Sequence, residues 1–364
     1  MRTGFTTGAC AAAAAKAATL ALSSGPVSAV RIKCPAGVEI EIPIAKCERV
    51  GPHAARAIVV KNSGDDAKYD VTHGIEIIAS VNIYNGTGIT VKGGEGVGIV
   101  TKPGLQVAIG EPAINPVPKS MIIESVQEVI PANASAEVVI SVPDGARLAS
   151  RTYNPRLGIV GGISIIGTTG IVRPRSLSAF IASVAAEIDV AVAQGHERLV
   201  LVPGSIGEKN AKQLLGASTE EIIQTGDFIG YMLKKAAEKG VKEIIIVGHA
   251  GKLVKLAAGI FNTNYHVADA RREIVAAYAA QAGAPTSVIE MIMHANTTDE
   301  MAETLERYEL SEATFNLIAD AVKDRVVQKT DGKIKTNIVI VSYGGKVLGS
   351  DSEARRLKIC QRSS

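Results

Sequence analysis

Hydrophobic and polar positions change their period along the chain. Residues 8–23 are almost wholly small and apolar, interrupted by Lys16. They predict a helix with Thr7 at its N-cap and Gly25 and Pro26 as its stop. β-Branched runs follow in "VSAVRIKC", "VEIEIPIAKCERV", "ARAIVVKN", "IEIIASVNIY" and "GVGIVTK". Residues 38–44 alternate strictly, which predicts a half-buried strand. Helical spacing returns in "NPVPKSMIIESVQEVI", and "AEVVISVPDG" predicts another strand.

After about residue 144 the character changes. "RLGIVGGISIIG" is a continuous apolar run, and "SLSAFIASVAAEIDVAVAQG" is helical. "ERLVLVPG", "GDFIGYMLKKAAEKG", "KEIIIVGHAG" and "ADARREIVAAYAAQAG" continue the strand–helix alternation, residues 296–330 read as charged amphipathic helix, and "TNIVIVSYGG" adds a late strand. Such alternation predicts a parallel sheet with crossover helices. The expected fold is therefore α/β in two domains. Residues 1–146 form an α+β domain with a mixed sheet and the alanine-rich helix. Residues 147–364 form an α/β domain with a mainly parallel, Rossmann-like sheet and glycine-rich strand-end turns.

Length agrees, because 364 residues exceed the ~250 at which single cores stop growing. Lys and Arg number 39 against 36 Asp and Glu, and Trp is absent. That balance gives no nucleic-acid footprint, although a local patch can still hold an anionic small molecule. Cys10, Cys34, Cys47 and Cys360 form no CxxC, and histidine spacing offers no zinc motif, so no protein metal site is expected. Lys16 breaks the apolar continuity that a secretion signal needs. No run reaches the ~18 apolar residues of a membrane span. A cytoplasmic protein without membrane contact is the expectation.

Three strand ends carry unusual turns, at residues 161–176, 201–210 and 245–255. Ligands of open parallel sheets gather at carboxyl ends, and N–H groups at a helix start attract carboxylate or phosphate. Glycine also serves such turns for backbone reasons alone, so both readings stay open. "GGEGVG" at 93–98 fails as a dinucleotide loop because a β-rich stretch follows. "HAGKLVK" fails as a phosphate loop, with Ile246 where the first Gly is required and Leu253 in place of Ser or Thr. Residues 60–74 gather Lys61, Asp65, Asp66, Asp70 and His73. Paired aspartates there can take a proton or orient a substrate, and ordinary turn chemistry is the other reading. His249 either contacts a ligand or caps a helix.

"GFTTGACAAAAAKAA", "GDD", "GEGVGIVTKPGL", "GEPAINPVPKSM", "NPRLGIVGGISIIGTTGIVRP" and "GHAGKLVKLAAGIFNT" occur in this order. Together they closely resemble the CbiD family, cobalt-precorrin-5B methyltransferases of anaerobic cobalamin biosynthesis. The resemblance runs from the first residues to beyond Asp269. It implies methyl transfer from S-adenosylmethionine to ring carbon one of a cobalt corrinoid precursor, giving cobalt-precorrin-6A, with the cobalt carried by the substrate. Such a transfer depends on holding donor and acceptor in line, without a nucleophilic side chain. Under this resemblance Asp65 and Asp66 are the catalytic candidates. Thr6, Thr7, Lys61, Thr168, Thr169 and Arg173 are candidates for the substrate's carboxylates, with Lys102 and Lys255 as further basic groups. Gly204, Gly207, Gly248, His249, Gly251 and Lys252 are candidates for the methyl donor. The Thr-Thr-Gly turns at 6–8 and 168–170, one from each half, are expected to face each other across a cleft. A homo-oligomer and transient contact with neighbouring pathway enzymes belong to the same expectation. The acidic-x-Gly-x-Gly-x-Gly motif of common methyltransferases is absent, which keeps a second reading open: a non-catalytic carrier of corrinoid intermediates.

Overall fold

The computed structural model describes residues 2–173 and 177–356, without the side chains of 177–180. It divides into two compact units, Met1–Phe180 and Ile181–Ser364.

The first unit is built around the helix Thr7–Ser23, whose alanines are all fully buried. A helix that is apolar all round has no solvent face. This one packs against a five-stranded sheet, the helix Pro116–Gln127 and the strand Ala29–Lys33. Methyl side chains let all of these neighbours come close, and larger ones would push them apart. The sheet order is Lys46–Arg49, Ala54–Val60, Glu76–Asn85, Ala134–Ser141, Ile89–Gly93. All neighbours are antiparallel except the last pair, so the sheet is mixed as expected.

Residues 147–173 belong to this unit, and the division falls at 180/181 rather than at the expected 146/147. Gly4–Phe5 pairs with Ile171–Val172, and Ile99–Val100 pairs with Ile159–Val160. The apolar run "RLGIVGGISIIG" has the composition of a buried parallel strand. Its backbone bonds nevertheless go to early residues: Gly98 N–H to the Ile163 carbonyl at 2.9 Å, and Ile165 N–H to the Ala113 carbonyl at 2.8 Å.

The second unit carries a five-stranded sheet ordered Ile222–Gln224, Arg198–Val202, Glu243–His249, Lys335–Val341, Val347–Ser350. The first four strands are parallel and the last is antiparallel. Its central strands are continuous buried apolar runs, as a sheet covered on both faces requires. The chain goes outward from Arg198–Val202 to Ile222–Gln224, then returns on the other side as Glu243–His249. Strand order thus reverses between the carboxyl ends of Arg198–Val202 and Glu243–His249, where open α/β sheets form their ligand crevice. The charged segment expected as one helix is two, Thr298–Arg307 and Ser311–Lys329, separated where Glu309 adopts a positive φ of 60°. Among the described residues no helix is long and apolar enough to cross a membrane.

Candidate functional site

In the first unit the candidates converge on the mouth of the alanine helix. Thr6 is its N-cap, and its Oγ1 accepts the Ala9 N–H at 3.1 Å. The Thr7 hydroxyl accepts the Ile166 N–H at 2.8 Å and donates to the Ile166 carbonyl at 3.1 Å. Thr6 N–H donates to the Gly170 carbonyl at 3.1 Å. The two Thr-Thr-Gly turns therefore do not face each other from separate domains. Both lie in the first unit, so tightly joined that a Cβ on Gly167 would overlap the Thr6 side chain. The reason is the antiparallel pair 4–5 with 171–172, which brings the second turn onto the first. Thr168, Thr169 and Arg173 are exposed beside it, with the Thr169 hydroxyl bonded to the Ile171 carbonyl at 3.0 Å.

The Gly64–Asp66 turn lies against the same mouth. Asp65 N–H donates to the Arg2 carbonyl at 3.0 Å, and Asp65 Oδ2 accepts the Arg2 N–H at 2.8 Å. Asp65 remains partly exposed, whereas Lys61 does not. Lys61, expected to meet substrate carboxylates, is 2 % exposed and its ammonium reaches Asp70 at 2.5 Å and Ser63 Oγ at 2.8 Å. Asp70 also accepts from Ser63 Oγ at 2.7 Å and from the Thr72 N–H at 2.8 Å. Burial alone would raise the Asp70 carboxyl. The Lys61 charge and the bonds from Lys61, Thr72 and Ser63 outweigh it and hold it at about 2. Lys61 is thus corrected from a ligand group to a buried structural partner. Burial pushes the neighbouring Cys10 thiol up to about 12, which suits packing and not nucleophilic chemistry.

In the second unit the donor candidates meet at the reversal of strand order. Gly204 follows the strand Arg198–Val202 after Pro203, with extended backbone, φ 170°, and a Cβ there would meet none of the described residues within 4 Å. The helix Ser205–Leu215 starts at Gly204 without a side-chain cap. Gly207 lies so close to the neighbouring strand that a Cβ would overlap the Val247 carbonyl, and one on Gly248 would sit 2.9 Å from Pro203 Cδ. The two glycine turns therefore pack on each other. His249 caps the helix Ala250–Ala257, with Nδ1 accepting the Gly251 N–H at 3.2 Å. Lys252 Nζ donates to the Pro203 carbonyl at 2.8 Å and pairs with Asp227 at 3.0 Å.

Asp227 follows the outer strand Ile222–Gln224 and also accepts from Thr263 Oγ1 at 3.0 Å and Asn264 Nδ2 at 3.2 Å. Burial works to raise its carboxyl, but Lys252 and these bonds hold it below the ordinary range. Lys255 is buried, donates to the carbonyls of Thr263 and Ala268, and has its ammonium pushed down by desolvation. A cavity of about 570 Å³ lies beside the neighbouring strand end, lined by Asp299, Glu303, Tyr343 and Lys346 among others.

Asp227, Asp299 and Tyr343 escaped sequence reasoning. "TTDE" does carry a helix-start signal, realised as Thr297 Oγ1 accepting the Glu300 N–H at 3.1 Å. Nothing local to it announces a bond to a histidine 50 positions earlier.

Comparison with known proteins adds the family. Residues 1–174 match the model described as CbiD, and residues 262–352 match that of the CbiD C-terminal domain. The cobalt-precorrin-5B C(1)-methyltransferase of Methanocaldococcus jannaschii is 50% identical over 349 residues, covering 95% of each chain. That of Moorella thermoacetica is 46% identical over 358 residues, 98% of this chain and 97% of the relative. A crystal structure of a cobalamin biosynthesis protein (cbiD) from Archaeoglobus fulgidus is 32% identical, spanning 75% of this chain and 84% of that one, with a TM-score of 0.39.

Proposed function

The chain belongs to the CbiD family and is a methyltransferase acting on ring carbon one of cobalt-precorrin-5B; on that premise we propose that S-adenosylmethionine is its donor, held at the carboxyl edge of the parallel sheet. The open, extended Gly204 at the mouth of an uncapped helix carries this reading. Free N–H groups there suit the carboxylate of the donor's methionine end. Asp227 stands after the adjacent strand, 23 positions beyond Gly204, where nucleoside sites place the carboxylate that receives ribose hydroxyls. The residues present thus fit an adenosyl sulfonium, although the familiar linear glycine motif is missing.

When bound, the donor supplies a methyl group on positively charged sulfur, already activated for displacement by an electron-rich ring carbon. The chain's own residues then have positioning work. Gly204 brings backbone to the ligand, while Gly207, Gly248 and Gly251 let the two turns and the His249 cap pack closely beside it. Lys252 ties the two turns through Pro203. In the first unit Thr168 and Arg173, both exposed, meet the substrate's carboxylates. Thr6 and Thr7 fix the helix mouth behind them. Asp65, with Asp66 beside it, takes the proton or balances charge as the ring carbon is methylated. Cobalt enters as part of the substrate. We place the reaction in the cytoplasm, where the free thiols Cys10, Cys34 and Cys47 stay reduced.

Labelled methyl transfer from S-adenosylmethionine to the precursor under anaerobic conditions tests the donor. Calorimetry with S-adenosylhomocysteine is the companion measurement. Protein that binds the precursor but neither adenosyl compound would be a carrier, and the donor assignment would fall.

A further inference from the structure

The ring of His249 is held at both nitrogens. Nδ1 accepts the Gly251 N–H at 3.2 Å, so the lone pair is there. The proton consequently sits on Nε2, which donates to Asp299 Oδ2 at 2.6 Å. Asp299 Oδ1 accepts the Tyr343 N–H at 2.7 Å, in the turn after the neighbouring strand Lys335–Val341. One carboxylate thereby joins two strand-end turns. It is itself fixed in the first turn of a helix capped by Thr297, and it lines the cavity of about 570 Å³.

We propose that Asp299 is a positioning residue for donor binding, acting through His249 to hold the 248–252 turn in its receiving shape. This inference rests on the donor lying at this edge, as proposed above. The chemistry is specific to a carboxylate. Both partners of Asp299 are donors, so both of its side-chain oxygens must accept. Asparagine has the same shape but offers one acceptor and one donor. In Asp299→Asn either an N–H faces an NH₂, or the His249 proton moves to Nδ1 and expels the Gly251 N–H. In every arrangement one bond of the chain from Gly251 through His249 and residue 299 to Tyr343 is lost, so the 248–252 turn is no longer tied to the turn at Tyr343, while the volume of the site is unchanged.

The test uses the full chain. Nitrogen-15 NMR of labelled histidine reads the tautomer, calorimetry reads S-adenosylhomocysteine binding, and steady-state kinetics separates KM from kcat. Asp299→Asn is expected to disturb the Nε2–H signature of His249 and to weaken S-adenosylhomocysteine binding about tenfold, the scale of one unsatisfied hydrogen-bonding group. The KM for the donor should rise by a similar factor, with kcat at saturation within about twofold and the KM for the precursor unchanged.

His249→Asn supplies a cap that needs no second carboxylate. In that background Asp299→Asn should cost no further affinity, and this pair carries the test if Asp299→Asn alone does not fold. Undiminished binding in Asp299→Asn would overturn the proposal, as would an equal loss in the His249→Asn background. Gly204→Val separates the two levels. If it binds like the wild type, the donor's placement fails. If it is impaired and Asp299→Asn is not, the positioning role alone fails.

Discussion

At one corner of the first unit glycines mark places where backbones touch, whereas Gly204 at the carboxyl edge of the second has open space around it among the described residues. A Cβ on Gly96 would overlap the Val142 carbonyl, and ones on Gly145 and Gly162 would overlap the Gly96 backbone. These glycines close a packed corner. Gly204 has a backbone any residue can adopt and no described neighbour in the way of a side chain. Glycine that the fold does not require is the better pointer to a ligand. Sequence alone cannot separate the two kinds, because "GGEGVG" and "PGSIG" read alike.

Substitution turns this contrast into measurements. The largest cost to folding is expected at Gly96, where alanine meets both a positive φ of 71° and the Val142 backbone. Gly96→Ala should lose at least about 4 kcal/mol in denaturant unfolding, and a mild effect would show that the corner is not packed as described. Lys61→Met comes next, at about 3 kcal/mol near neutral pH, because it strands the half-buried Asp70 carboxylate. The Asp70 carboxyl lies at about 2 in the fold, below the ~3.9 of an unfolded aspartate. Its contribution is therefore full above about pH 4 and disappears as pH falls through about 2. The difference between wild type and Lys61→Met should shrink over that window, and a constant difference would contradict the pairing.

Asp65→Ala removes a half-exposed bond to the chain's start and should cost about 1 kcal/mol or less. Turnover should nevertheless fall by about a hundredfold, the scale of a lost proton acceptor. Unchanged turnover in the folded variant would return this loop to simple turn chemistry. Gly204→Val should also be mild for the fold, about 1 kcal/mol as for a changed N-cap, while weakening S-adenosylhomocysteine binding at least about tenfold.

Periodicity was informative wherever neighbours in sequence are neighbours in the element. The alternation at 38–44 became the half-buried strand Glu39–Pro43, and "KEIIIVGHAG" became a buried parallel strand entering a helix. It misled at 157–166, because a continuous apolar run says that a segment is buried and not which partner buries it. Charged pairs were least legible. Lys61 looked available because its charge was visible, while the fold that aims it at Asp70 was not. The bond between His249 and Asp299 spans 50 positions and depends on a helix packing beside a sheet, which no local spacing encodes.

The alanine helix is made long before its surroundings. Its sheet is complete only with residue 141, and the strand that pins its mouth ends at 172. At ordinary synthesis rates the wait for residue 172 is roughly seven to thirty seconds. Alanine suits the interval, since it favours helix more than any other residue and exposes little apolar surface to passing chains. The small side chains that admit close neighbours in the finished unit also keep the growing chain from sticking before those neighbours exist.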